Sequence, residues 1–131
     1  MRNFVRITVF SAALIAALSI LSVVAPAKTG RTKRVRFASG KSSITLKGAI
    51  VRGTADRYVV GARRGQMMSV KISSIERNAN FTVYFAGEQE SLVGSDEATE
   101  WKGELSDDND YVIVVGSRRG NAAYTLTITI K

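Results

Sequence analysis

The sequence contains no cysteine and no histidine, and these two absences exclude several classes of enzyme and metalloprotein. Without cysteine the chain forms no disulfide bonds. Histidine is the usual general base near neutral pH and the commonest protein ligand of transition metals. Ser-His-Asp and Cys-His catalysis and ordinary zinc, copper or haem sites are therefore excluded. We expect a non-enzymatic protein that has no cofactor and no metal site.

Long apolar runs are also scarce, and the single one lies at the N-terminus. Arg2 and Arg6 open the chain, an apolar stretch covers residues 7–24, and Ala25-Pro26-Ala27 follows it. A basic start, an apolar run and a small-x-small site are the three parts of a secretory signal peptide. We predict cleavage after residue 27 and a periplasmic or secreted mature protein with no membrane span. An uncleaved N-terminal anchor is the alternative, since about 20 apolar residues can cross a bilayer.

Acidic side chains are rare in the first half of the mature chain, and basic ones are rare in most of the second half. Residues 28–77 hold 13 basic and two acidic side chains, whereas residues 78–117 hold nine acidic side chains and one lysine. This asymmetry indicates charged partners, with two sets of solvated loops as the alternative. For an exported chain, the basic half favours an anionic envelope polymer over nucleic acid.

After residue 32 the apolar residues alternate with polar ones, which is typical of half-buried β-strands. The clearest case is near the C-terminus, where Leu126, Ile128 and Ile130 alternate with threonines. Eight strands are predicted, separated by glycine or aspartate-asparagine turns: Lys33–Ala38, Ser43–Val51, Asp56–Ala62, Met67–Ser73, Phe81–Ala86, Ala98–Leu105, Tyr111–Gly116 and Ala123–Ile130.

Short strands at regular spacing predict an all-β fold, a single antiparallel and jelly-roll-like β-sandwich. A closed barrel is the alternative. The predicted organisation is a signal peptide over residues 1–27, a loosely ordered polar leader over 28–32, and the sandwich domain over 33–131. The sequence does not indicate an oligomeric state.

Two Arg-Arg-Gly turns are the first candidates for a partner-binding site. One is Ser117-Arg118-Arg119-Gly120-Asn121 and the other is Arg63-Arg64-Gly65-Gln66. We interpret both as hairpin turns, with glycine at positive φ. Paired arginines on a rigid tip can form bidentate bonds with carboxylates, whereas solvated turns are the alternative. The predicted site residues here are Ser117, Arg118, Arg119, Asn121, Arg63 and Arg64.

Trp101 is the third candidate, because it is the one tryptophan in the chain. An exposed indole would favour sugar stacking or a binding hot spot, and packing at the edge of the core is the alternative. The run Asp107-Asp108-Asn109-Asp110 offers oxygen ligands but lacks the spacing of a calcium loop. It predicts a tight turn, not a metal site.

Several motifs together resemble a known family. They are Arg34-Val35-Arg36-Phe37, Asp56-Arg57-Tyr58-Val59-Val60, Ala62-Arg63-Arg64-Gly65-Gln66, Trp101-Lys102-Gly103-Glu104-Leu105 and Tyr124-Thr125-Leu126-Thr127-Ile128. Their order is similar to that in bacterial pre-peptidase C-terminal (PPC-like) β-sandwich domains and, more narrowly, in periplasmic inhibitors of goose-type (g-type) lysozyme. The resemblance covers about residues 34–130. It implies a β-sandwich and a secreted hydrolase partner such as g-type lysozyme; a PPC-like module that binds cell-wall or surface polysaccharide is the alternative.

Overall fold

The computed structural model describes residues 30–131, so the predicted signal peptide lies outside the described residues. Eight strands are present and no helix is long and apolar enough to cross a membrane within this range. The strands are β1 (Thr32–Arg34), β2 (Ser43–Ile50), β3 (Asp56–Ala62), β4 (Met67–Ser74), β5 (Ala79–Phe85), β6 (Glu100–Glu104), β7 (Asn109–Ser117) and β8 (Ala122–Ile130). β1 begins within the segment expected to be a loose leader and is shorter than the predicted strand.

The strands form two four-stranded sheets that pack face to face, which confirms the predicted β-sandwich. The first sheet has the order β1-β3-β7-β5 and the second has the order β2-β8-β4-β6. Pairing is antiparallel except at β1, which runs parallel to β3 with Thr32 opposite Arg57. The two sheets remain separate, so the fold is not a closed barrel.

Successive strands never pair with one another, because every connection crosses from one sheet to the other. All odd-numbered strands lie in the first sheet and all even-numbered strands in the second. The prediction that the two Arg-Arg-Gly turns are hairpin turns is therefore wrong, since β3 to β4 and β7 to β8 are crossings between sheets. Gly65 and Gly120 do adopt positive φ, at 87° and 59°.

The core lies between the sheets and is formed by the alternate residues that face inward. In β8, Leu126 and Ile128 are fully buried while Thr125, Thr127 and Thr129 stay partly exposed on the outer face. The other fully buried large side chains are Ile50, Val60, Met68, Val70, Phe81, Val83, Leu105, Tyr111, Ile113 and Val115. Burial of apolar area at about 25 cal/mol per Å² is the main force that holds the sheets together.

A buried chain of hydrogen bonds joins the two sheets near one end. The Tyr124 hydroxyl donates to Oδ2 of Asp56 at 2.6 Å, and the Tyr58 hydroxyl donates to Tyr124. The other oxygen of Asp56 accepts the backbone N–H of Arg31 at 3.0 Å. Burial, followed by the hydrogen bond to Asp56, raises the pKa of Tyr124 far above its ordinary value. Gly48 leaves room for this ring, since a Cβ there would collide with the tyrosine.

Strand direction divides the sandwich into two ends. The turns that follow β2, β4 and β7 lie at one end, because Ile50 pairs with Ala122 and Ala79 with Ser117. The turns that follow β1, β3 and β6 lie at the opposite end. The sandwich also has two sides, one formed by edge strands β1 and β2 and the other by β5 and β6. Basic residues concentrate on the first side and acidic residues on the second.

Candidate functional site

Three turns at one end of the sandwich are tied into a single unit, which we call the three-turn end. It consists of the turns at residues 51–55, 75–78 and 118–121. The backbone N–H of Arg52 donates to Oδ1 of Asn121 at 2.8 Å. Asn78 donates through Nδ2 to the carbonyls of Arg119 and Asn121, both at 2.9 Å, and its carbonyl accepts the N–H of Arg118. Because Asn78 is only 2% exposed, it fixes the neighbouring turns from beneath.

The two arginines of the last turn are oriented by backbone carbonyls. Ser117 Oγ donates to the carbonyl of Arg119 at 2.8 Å, which closes the turn. The guanidinium of Arg118 donates to the carbonyl of Glu97 at 3.2 Å, and that of Arg119 donates to the carbonyl of Glu76 at 3.1 Å. A guanidinium carries five N–H donors, so each arginine keeps further donors for a partner. Both side chains are exposed and already oriented.

Two residues beside these arginines adopt an uncommon backbone conformation. Arg77 has φ of 53° and Glu97 has φ of 44°, and they are the non-glycine residues at positive φ within residues 30–131. Such a conformation is sterically unfavourable for a residue with a Cβ and costs about 1 kcal/mol or more. Glu97 itself supplies the carbonyl that holds Arg118, and Arg77 directly follows Glu76, whose carbonyl holds Arg119. Strained backbone of this kind concentrates at functional sites.

Exposed apolar side chains accompany the charges at the three-turn end. Ile75 is 96% exposed and Val51 is 59% exposed, each on its own turn. Two acidic residues, Glu76 and Glu97, lie in the same region. Four arginines surround the apolar side chains: Arg52, Arg77, Arg118 and Arg119. Arginine beside protruding apolar groups is the composition of a protein-binding surface.

The other Arg-Arg-Gly turn lies at the opposite end of the sandwich. The N–H of Arg63 donates to Oε1 of Gln66 at 2.7 Å, and the N–H of Arg64 donates to Oδ1 of Asp108 at 2.8 Å. Asp110 forms a bidentate pair with Arg34, with both distances 3.0 Å, which lowers the pKa of the Asp110 carboxyl. The acidic run at residues 107–110 is thus engaged in turn and strand contacts.

Trp101 packs into the core instead of projecting from the surface. Its side chain is 9% exposed, and the indole N–H donates to the carbonyl of Val93 at 3.0 Å. The ring lies against Gly103, where a Cβ would collide with it. The two Arg-Arg-Gly turns and Trp101 are therefore not brought together into one site.

No protein-family model matches the chain, and no curated protein is significantly similar to it. Solved structures are similar. The periplasmic lysozyme inhibitor of g-type lysozyme PliG from Aeromonas hydrophila has 33% identity and a TM-score of 0.66, over 77% of this chain and 96% of that one. The chain belongs to the family of periplasmic inhibitors of g-type lysozyme. A PliG mutant from Escherichia coli has 25% identity and a TM-score of 0.65, over 78% of this chain and 99% of that one.

The broader resemblance to pre-peptidase C-terminal domains also holds at the level of the fold. Such a domain from a Bacillus anthracis collagenase has 14% identity and a TM-score of 0.56, over 77% of this chain and 95% of that one. This chain and that domain thus share the fold.

In this member of the inhibitor family, the predicted residues lie in three places. Ser117, Arg118, Arg119 and Asn121 form part of the three-turn end. The turn at residues 63–66 is at the far end, and the tryptophan is inside. The first group lies beside the exposed Ile75 and Val51 and beside the positive-φ residues Arg77 and Glu97.

Sequence reasoning missed four contributors to the three-turn end: Val51, Ile75, Asn78 and Glu97. One signal was available, because Ile75 and Val51 are apolar residues placed at the ends of strands where turn residues are expected. The roles of Asn78 and Glu97 depend on contacts between residues about 20 to 40 positions apart, which alternation does not reveal.

Proposed function

We propose that the chain is an exported, non-enzymatic inhibitor of g-type lysozyme that docks through its three-turn end. Membership of the inhibitor family supports the partner, since the three PliG structures are of periplasmic inhibitors of g-type lysozyme. The observation that carries the choice of site is the pair Arg118 and Arg119, each held by a backbone carbonyl.

The chemistry of the pair fits a glycosidase cleft. Enzymes that hydrolyse glycosidic bonds use acidic side chains at the reacting bond. A guanidinium forms short, bidentate hydrogen bonds with such a carboxylate. Because the two arginines are ordered before binding, little side-chain entropy is lost on docking. Ile75 and Val51 add apolar area that the partner would cover.

The proposal includes the predicted location. Removal of residues 1–27 would release a mature chain of residues 28–131 in the periplasm or outside the cell. The location given for the PliG relatives supports this. Edman sequencing of the mature protein should begin at Lys28.

The test is lysis of peptidoglycan by g-type lysozyme in the presence of residues 28–131. We expect inhibition near one molecule per enzyme. Arg118→Ala with Arg119→Ala should weaken inhibition by at least about 100-fold, because each of the two hydrogen bonds to a charged group contributes roughly 1.5–3 kcal/mol. Arg63→Ala with Arg64→Ala is the matched control, since it removes the same charge from the opposite end and should leave inhibition intact.

Full lysozyme activity at a large excess of the protein would refute the inhibitor proposal. The alternative is a PPC-like module that binds an anionic envelope polymer. The exposed basic residues on the β1–β2 side favour it, among them Lys33, Arg36, Lys41 and Lys47. That module would sediment with envelope material and leave lysozyme active.

A further inference from the structure

A groove runs along the acidic side of the sandwich, away from the three-turn end; we call it the side groove. Its volume is about 680 Å³. Strand β6 forms one wall, the segment 88–93 forms the other, and the half-buried Phe85 contributes an aromatic ring to the lining. The Trp101–Val93 hydrogen bond lies where the two walls meet. Val93 is 96% exposed on the loop that forms the outer wall.

The groove follows the free edge of β6. Residues 101–105 all line it, although alternate side chains of a strand point to opposite faces, so the backbone itself borders the groove. The N–H of Leu105 donates to the carbonyl of Gln66, and the carbonyl of Leu105 accepts the N–H of Gly65. The carbonyl of Thr99 accepts the N–H of Ile72, so the backbone groups of residues 99 and 105 point toward β4. By the alternation of an antiparallel ladder, the N–H and carbonyl groups of Lys102 and Glu104 point toward the groove.

The neighbouring edge strand, β5 in the first sheet, has its outer edge covered. The loop between β5 and β6 folds back on β5, where Leu92 donates to Val83 at 2.8 Å and Ala98 exchanges two hydrogen bonds with Phe81. That edge is therefore covered, and β1 at the far edge of the same sheet is only three residues long. Within residues 30–131, no strand or loop pairs in this way with the outer edge of β6.

The charges around the groove specify the sign of the charge that an occupant would carry. Glu88, Glu90, Glu104 and Asp107 line it, and Lys102 is the one basic residue among its lining residues. All five are exposed. An extended segment placed here would meet negative charge on both walls and the Phe85 ring between them.

We infer that the side groove binds an extended, basic polypeptide segment, which adds to the second sheet as a strand beside β6. Backbone hydrogen bonds to Lys102 and Glu104 would set the position of the segment, and the apolar lining formed by Phe85, Leu92 and Val93 would take its alternate apolar side chains. Acidic residues on the walls select lysine- or arginine-rich segments. This site is separate from the three-turn end and does not depend on the proposed inhibition.

The probe is the peptide acetyl-Lys-Val-Lys-Val-Lys-amide, added to the mature chain and followed by titration calorimetry and by tryptophan emission. Trp101 is the one tryptophan and lines the groove, so its emission locates the peptide. We expect saturable heat and a matching change in emission. Glu88→Gln with Glu90→Gln should weaken binding about fivefold, the scale of two exposed ion pairs. Glu76→Gln with Asp96→Asn removes two acids outside the groove and should leave it unchanged.

Two further peptides separate strand addition from simple charge attraction. One is N-methylated at both valines and the other at the three lysines, and both keep the charge of the probe. Because only alternate N–H groups face the neighbouring strand, one of the two should lose binding and the other should retain it. Equal binding of both peptides, or no heat and no change in emission at millimolar peptide, would overturn the inference.

Discussion

At the scale of single residues, the buried Tyr58–Tyr124–Asp56 chain connects the two sheets through one hydroxyl. The Tyr124 oxygen accepts from Tyr58 in β3 and donates to Asp56, while its own strand lies in the other sheet. Removing this atom would leave a carboxylate oxygen and a hydroxyl buried with fewer partners. An unsatisfied buried group costs more than the hydrogen bond contributed when formed.

We therefore expect Tyr124→Phe to lower the free energy of unfolding by about 1–3 kcal/mol, measured by urea denaturation at pH 7. Tyr84→Phe is the control, because Tyr84 lies half-buried on the outer face of the first sheet. Equal losses for the two variants would contradict the role given to the buried chain.

The raised pKa of Tyr124 predicts the pH dependence of the same contribution. The folded protein holds the hydroxyl proton of Tyr124 more tightly than the unfolded chain does. The stabilisation from Tyr124 is therefore complete below the ordinary tyrosine pKa of 10.0. It is lost progressively as the pH rises above that value, where the unfolded tyrosine ionises. Unfolding measured between pH 9 and pH 11 should show a steeper fall for the natural chain than for Tyr124→Phe. Parallel curves would contradict this assignment.

At the scale of elements, β1 is a three-residue strand that depends on side chains to stay in place. The N–H of Arg31 bonds to Asp56, and Arg34 reaches across β3 to Asp110 on β7. The N–H of Val35 donates to the carbonyl of Val59 at 2.8 Å, which closes the parallel pairing. Two carboxylates thus fasten the first strand to the sheet.

Asp110→Asn should make the backbone N–H of Val35 exchange severalfold faster with solvent, measured by hydrogen–deuterium exchange. Asp96→Asn, which removes an acid far from β1, is the control. Because the hydrogen bond to Arg34 lowers the pKa of Asp110, the protection is complete above the ordinary value of 3.8 and is lost as the pH falls through the lowered value. Unchanged exchange in Asp110→Asn would show that backbone pairing alone holds β1.

The alternation of apolar and polar residues predicted the strands well, but it did not indicate which sheet each strand joins. β3 is the same in the prediction and the structure, and β2, β4 and β8 agree within one residue at each end. The similar motifs at residues 58–65 and 111–120 suggested two similar hairpins. Yet β3 and β7 run antiparallel, with Asp56 opposite Val115, so a turn that follows each of them must lie at opposite ends. Strand direction, which composition does not encode, therefore separates the two arginine pairs.

At the scale of the whole molecule, the crossing of every connection between sheets makes all strand pairing distant in sequence. The closest pairs in the chain are two strands apart, such as β4 with β6. Pairing at long separation requires loop closure before any contact forms, which slows folding.

We expect refolding from urea to take milliseconds to seconds, as is typical of all-β sandwiches. Stopped-flow fluorescence of Trp101 reports it, since the indole becomes buried between β6 and its loop. Pulsed hydrogen exchange should show no early protected pair of strands adjacent in sequence. Folding within microseconds, or an early β7–β8 hairpin, would contradict this prediction.

The same crossings determine what happens when a protease cuts one turn. A break between Arg118 and Arg119 separates β8 from the rest of the chain, but β8 lies between β2 and β4 and is hydrogen-bonded to both. A break at residues 63–66 leaves β2 paired with β8 and β3 paired with β7, so each fragment contributes strands to both sheets. After the first break β8 stays inserted between two strands of the other fragment, and after the second break the fragments meet along the β2–β8 and β3–β7 ladders, so neither piece can leave without breaking a full strand ladder. A nicked molecule of this fold would therefore stay assembled.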